Sequence, residues 1–286
     1  GLLELLTIVG VHAFLIWLMS RRTLRMKLWQ HPVQGENMLV PLRVDVWMWR
    51  RPIANYVILA VTVAISLVGF ANPRFYDKMV GKGDDSISLD ADFDYTDFEL
   101  IRSFTPRLDP DAWRPVAAIT SSFLHGGVMH LLGNMWFLWV FGNAVNYKFG
   151  HWQYAALYLT CALAGGMSHY LATDNIPVVG ASGAIYGVMG AYVVFFPRND
   201  VVMMFWAYII RRDFSISSWV MITLWVGWDL LQVLNTGTSG PVALAAHLGG
   251  FVLGFSVGML CAATELIKPT EDEQTTLHVF NRRGEV

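Results

Sequence analysis

Apolar residues along this chain are gathered into blocks. Seven blocks of about 16 to 22 residues stand out, the length at which an α-helix crosses a bilayer. They run over Leu2–Met19, Ala54–Ala71, Val128–Tyr147, Tyr154–Ala172, Ala181–Phe196, Ile216–Leu234 and Val242–Ala263. This pattern predicts an all-α fold, a polytopic membrane helix bundle. One apolar stretch, Val201–Ile210, is too short to span and is flanked by Arg198, Arg211 and Arg212. It reads as an interfacial segment.

The polar segments set the organisation. Residues 1–20 form an extra N-terminal helix, and residues 21–53 a basic linker holding Arg21, Arg22, Arg25, Lys27, Arg43, Arg50 and Arg51. A helical core follows over residues 54–264, with a loop at 72–123 that carries an acidic run from Asp84 to Glu99, and residues 265–286 are a polar tail. Basic residues favour the cytoplasmic side, which places the linker, Arg198, Arg211, Arg212, Lys268 and the tail inside and the acidic loop outside. The sequence begins at Gly1 rather than Met, which leaves room for a natural start or a removed signal segment upstream.

Composition agrees with this picture. The chain has 286 residues, 55% hydrophobic and 15% charged, against about 25% charged in soluble domains. A net charge of −2 carries no nucleic-acid footprint. Cys161 and Cys261 lie inside apolar blocks without metal-ligand spacing and read as small buried hydrophobes. Gly183, Gly187 and Ala191 on the fifth block, and Gly250, Gly254 and Gly258 on the seventh, recur every four residues. Small residues on one face let two helices approach closely.

Polar groups within such blocks cost about 2.5–3.5 kcal/mol each on insertion scales when ionisable, so they need a reason to be there. His130 and Asn134 share a face of the third block, Ser182 opens the fifth, and His247 lies early in the seventh. The fifth block would span only roughly 24 Å of a core of about 30 Å, so Ser182 should be recessed below the external surface. His247 falls at roughly 9 Å depth, and a water-filled cavity could hold both. A serine hydroxyl becomes a nucleophile when a base takes its proton, and His247 could do so. His130, Asn134 and the Ser182 amide could stabilise an oxyanion. Asp229, in the sixth block, either completes a triad with His247 or is a water-facing or paired residue near the interface. His169 reads as interfacial, with cavity lining as the alternative.

These residues resemble the rhomboid intramembrane serine proteases. The resemblance rests on Gly180-Ala181-Ser182-Gly183 with Tyr186, on Ala246-His247 with Gly250 and Gly254, on His125, His130 and Asn134, and on the external pair Trp113-Arg114. It covers about Pro41 to Ala263 and implies a six-helix rhomboid core, here with one extra N-terminal transmembrane helix. It further implies that Ser182 and His247 form a catalytic dyad without an aspartate. His130, Asn134 and Ser182 would form the oxyanion hole, Tyr186, Gly180 and Gly183 would support the site, and His125 would be structural. The sixth span would be a lateral gate, and the loop Asn235–Gly240 a lid. No metal or cofactor is implied. The expected partners are transmembrane protein substrates and the lipid bilayer, and the expected location is a bacterial plasma membrane. A catalytically inactive rhomboid-like protein that binds or escorts membrane clients, and a transporter subunit, are the rival readings.

Overall fold

The computed structural model describes residues 38–71, 115–172, 178–207, 210–236, 243–269 and 274–281. The expected first span, the acidic run and Trp113-Arg114 lie outside the described residues, as does most of the expected lid. The chain divides into two compact units, Gly1–Leu42 with Val201–Ile216, and Arg43–Asp200 with Ser217–Val286.

The described part of the smaller unit is strand. Strands β1 (Met38–Val44), β2 (Asp200–Ala207) and β3 (Ile210–Ser217) form a three-stranded sheet in that order. The chain is mostly helical, as expected, and this sheet is an element that the all-α expectation did not include; the apolar stretch is strand over Asp200–Ala207. The physical reason lies in the residues: Val201, Val202, Phe205 and Trp206 are β-branched or aromatic and suit a pleated surface. A hydrogen-bonded neighbour then satisfies the backbone of a stretch too short to span as helix.

The larger unit is helical. Its main helices are α1 (Ile53–Ala71), α3 (Val128–Phe149), α4 (His151–Ala172), α5 (Ser182–Phe195), α6 (Ser218–Thr236) and α7 (Leu244–Ala263). Two short helices accompany them, α2 (Pro115–Thr120) and α8 (Thr276–Asn281). Among the described residues α1, α3 and α7 are long and apolar enough to cross a membrane, and α5 is a shorter apolar helix. The sixth block thus begins as strand and turns helical at Ser218. The polar tail is not wholly free chain: the Thr276 hydroxyl donates to the Val193 carbonyl of α5.

Helix α1 shows which solvent the bundle is built for. Its buried side is Asn55, Ile58, Thr62, Ser66 and Gly69, while Val57, Val61, Leu67 and Val68 are exposed. Polar residues inside and apolar residues outside invert the pattern of a water-soluble helix, and lipid is the environment that rewards it. The buried polar groups find partners inside the bundle. Asn55 donates from Nδ2 to the Leu138 carbonyl at 3.0 Å and to Asn143 Oδ1 at 2.8 Å, and its Oδ1 accepts from the Tyr154 hydroxyl. The Leu138 carbonyl lies at the start of a π-helical turn in α3, Leu138–Gly142.

Helix α5 is buried from Gly183 to Phe195. It packs on α7 through the small residues that the four-residue spacing picked out. A Cβ at Gly250 would collide with the Gly183 carbonyl, one at Gly254 with the Gly187 carbonyl, and one at Gly258 would lie 3.2 Å from the Ala191 Cα. The helices therefore run parallel in a single register. Gly165 of α4 closes the same junction, where a Cβ would meet the Ala246 carbonyl at 3.0 Å.

Candidate active site

The register between α5 and α7 decides the site. The pairs 183–250, 187–254 and 191–258 share one offset, which sets His247 level with residue 180, two residues from Ser182. Two residues of helix are about 3 Å of axial travel. Tyr186 stands one turn beyond Ser182 on the same face, and helical side chains lean back toward the N-terminus. Its ring accordingly stacks on the His247 imidazole, with centroids 4.1 Å apart and planes 13° off parallel. Ser182 is half-buried and lines a cavity with Gly180, Gly183, Gly165, Ser121 and Ala246. Among the described residues no hydrogen bond joins Ser182 to His247.

The chain arrives at Ser182 through a constrained turn. Gly180 has φ +128°, a conformation that L side chains rarely adopt. Its N–H donates to the Ser121 carbonyl at 3.0 Å, and the Ala181 N–H points to His125 Nε2 at 3.5 Å. The rest of that chain of bonds fixes the His125 tautomer. The Ser66 hydroxyl donates to the Phe123 carbonyl, so its contact with His125 Nδ1 at 3.0 Å requires the proton on Nδ1. Nε2 is then the acceptor facing Ala181. Burial, helped by His130, lowers the His125 pKa to about 3, so the ring stays neutral. His125 thus braces the turn before Ser182.

Beside that turn lie His130 and Asn134. A Cβ at Gly180 would come within 2.8 Å of His130 Cε1, 3.0 Å of its Nε2 and 3.6 Å of Asn134 Nδ2. Both side chains therefore crowd the Gly180 backbone. Asn134 Nδ2 is buried without a hydrogen-bond partner. Buried donors are rarely left so, and a functional site is one of the accepted reasons. The Ser182 N–H, in the first turn of α5, belongs to the helix-terminal amides that lack an intrahelical partner.

Asp229 is the residue whose placement sequence reasoning set aside. Its Oδ2 lies 2.7 Å from His247 Nδ1, and the two side chains are 5% and 8% exposed as residues. Asp229 is thus a buried, paired group, not a water-facing one. An intramembrane carboxylate is by default a functional-site candidate, and that signal was available in the sequence. His169 is also buried, at 4% exposed, and is not among the residues lining the Ser182 cavity. One turn back from Asp229, Trp225 meets Phe137 of α3 edge-on at 4.9 Å. The described residues contain no group of three or more His, Cys, Asp or Glu placed to hold a metal ion.

The fold and site define an integral membrane helix bundle with a polar cluster sunk among its helices. Residues 110–264 match the Rhomboid domain family model, more than half of the chain. The chain belongs to the rhomboid family. It is 32% identical over 148 residues to RHOMBOID-like protein 7 of Arabidopsis thaliana, covering 52% of this chain and 42% of that one. It is 30% identical over 149 residues to Rhomboid protein 1, mitochondrial, of Saccharomyces cerevisiae (50% and 41%). Rhomboid protease GluP of Bacillus subtilis is 30% identical over 143 residues (50% and 25%). The chain thus spans less than half the length of these relatives.

Proposed function

We propose that the protein is an intramembrane serine endopeptidase that hydrolyses peptide bonds in or near the transmembrane helices of other membrane proteins. The observation that carries this reading is the Tyr186–His247 stack one turn from Ser182, which holds an imidazole near the hydroxyl that opens α5. In this reading Ser182 Oγ attacks the scissile carbonyl while His247 Nε2 takes its proton. Nε2 later returns that proton to the leaving amine. The Ser182 N–H, Asn134 Nδ2 and His130 receive the oxyanion. Cavity water then hydrolyses the acyl-enzyme. Catalytic hydrogen bonds are often long before substrate binds, which accommodates the unjoined Ser182 and His247.

Membership of the family, and a relative named as a protease, support the activity. The fold belongs with it as a six-helix core over 54–264, preceded by an extra helix at 1–20 and the linker at 21–53, and followed by the tail at 265–286. The substrate should enter past α6 and present small or helix-breaking residues, because an intact helix hides its carbonyls in hydrogen bonds. The proposed location is a bacterial plasma membrane, with the basic linker on its cytoplasmic side. The experiment is cleavage of a model transmembrane substrate by purified protein in proteoliposomes. Ser182→Ala should abolish cleavage without unfolding the protein, and cleavage at the parent rate would refute the mechanism. The missing Ser182–His247 bond favours one other reading, an inactive rhomboid-like protein that binds or escorts membrane clients. Labelling of Ser182 by a fluorophosphonate probe decides between them, since only an activated serine reacts readily.

A further inference from the structure

We propose that Asp229 is a positioning residue that fixes the tautomer and orientation of His247, so that the Ser182–His247 pair works with its base held by a third group. This rests on the protease reading above. The imidazole is held from two directions. Its Nδ1 edge is taken by Asp229 Oδ2 at 2.7 Å, and one face is covered by the Tyr186 ring at 4.1 Å. A carboxylate only accepts, so Nδ1 must carry the proton and Nε2 must keep its lone pair. Nε2 is the nitrogen left for the Ser182 side. Without Asp229 the two neutral tautomers compete, and the form protonated on Nε2 cannot act as base.

Asp229 also meets the conditions for carrying charge in that position. It is buried, so its negative charge needs a donor, and His247 Nδ1–H supplies one at 2.7 Å. The titratable neighbours of His247 come from three helices: Tyr186 of α5, Asp229 of α6, and His130 of α3. Asp229 is the only anion among them. When Ser182 Oγ bonds to the scissile carbon, its proton moves to Nε2 and the carbonyl electrons move to the oxygen. The Nδ1 proton stays on Nδ1, and the imidazolium faces a carboxylate. Collapse breaks the C–N bond as the Nε2 proton passes to the amine. Asp229 exchanges no atom in either step.

The position of Asp229 has a second consequence. It lies on α6, one turn from Trp225, so the residue that orients the base sits on the same helix face as the contact with Phe137 of α3.

The test compares the parent with Asp229→Asn and Asp229→Glu in proteoliposomes, with a transmembrane substrate and with imidazole 15N NMR on histidine-labelled protein. The His247 signal is assigned by its loss in His247→Gln. Asparagine can donate to Nδ1 and select the wrong tautomer, so kcat should fall by at least about 10²-fold, with KM within about threefold. Glutamate should recover activity to within about tenfold of the parent. The parent spectrum should show Nδ1–H, and Asp229→Asn should shift toward Nε2–H. A purely structural role predicts loss of unfolding temperature with the tautomer unchanged. An Nε2–H parent, or kcat for Asp229→Asn within about threefold of the parent, would overturn the proposal. The parent spectrum alone decides if Asp229→Asn fails to fold. A parent that neither cleaves nor labels at Ser182 would instead sink the protease reading, and this proposal with it.

Discussion

Gly180→Ala tests whether the turn before Ser182 and the donors beside it act as one unit. The backbone there has φ +128°, which costs a residue with a Cβ about 1–3 kcal/mol. The added methyl would also stand 2.8 Å from His130 Cε1, where real Cβ atoms essentially never sit. Either the His130 ring turns away or the turn shifts and carries the Ser182 amide with it. Each outcome misaims one oxyanion donor, and losing one such donor costs about 10²–10³ in kcat. The expected result is therefore a kcat loss of about that size, a smaller change in KM, and a lowered unfolding temperature. A double-mutant cycle sharpens it. With His130→Ala in place the methyl has room, so Gly180→Ala should cost several-fold less in that background than in the parent. Single-turnover cleavage of a transmembrane substrate gives the rates, and tryptophan fluorescence gives the unfolding temperature. If Gly180→Ala cleaves within about threefold of the parent, or if the two changes are simply additive, the coupling between turn and donor is wrong.

Asn134→Ala should separate activity from stability in the opposite sense. Its Nδ2 has no partner in the resting site, so removing it should cost about 10²–10³ in kcat while leaving the unfolding temperature unchanged or raised. A fall in unfolding temperature with kcat intact would mark a structural residue. His125 predicts a pH dependence. Its folded pKa is lowered to about 3, while an unfolded histidine titrates near about 6.5. Between those values the unfolded chain binds the extra proton, so stability rises with pH. The contribution is complete above about 6.5 and is lost as pH falls toward 3. His125→Gln should flatten the slope of unfolding temperature against pH in that window, and an unchanged slope would refute the neutral brace.

The helices were legible in the sequence because in lipid the spanning length and the apolar run are nearly the same signal. Apart from the sixth block, whose first residues are strand, the described blocks became helices close to the expected bounds. The paired small residues were legible because their four-residue spacing has one use on a helix face. The three-stranded sheet was not, because Val201–Ile210 is as apolar as a helix of its length and only β-propensity distinguishes it. Pairing with Met38–Val44 joins segments far apart in the chain, which no local pattern reports. The Asn55 cluster was hidden for a similar reason: its partners Leu138, Asn143 and Tyr154 come from two other helices. Asp229 was visible as an intramembrane carboxylate, but its partner depends on how α6 faces α7, which composition does not fix.

The glycines of α5 and α7 therefore do more than bring two helices together. A parallel pair locked at three successive turns cannot slide without driving a Cα or a carbonyl into its neighbour, and a slip of one turn would move His247 by about 5.4 Å relative to Ser182. The proposed proton transfer needs the two within about 3 Å, so a slip of even half a turn would end it. Helix α5, at 14 residues, is about 21 Å long, shorter than the hydrocarbon core of about 30 Å. Its start is then reached by irregular chain, which membranes tolerate only where protein satisfies the backbone. The Ser121 carbonyl and His125 supply that for Gly180 and Ala181. The short α5, the braced turn before Ser182 and the glycine lock are one structural solution, because a short central helix is stable at that depth only when its neighbours both enclose it and fix its register.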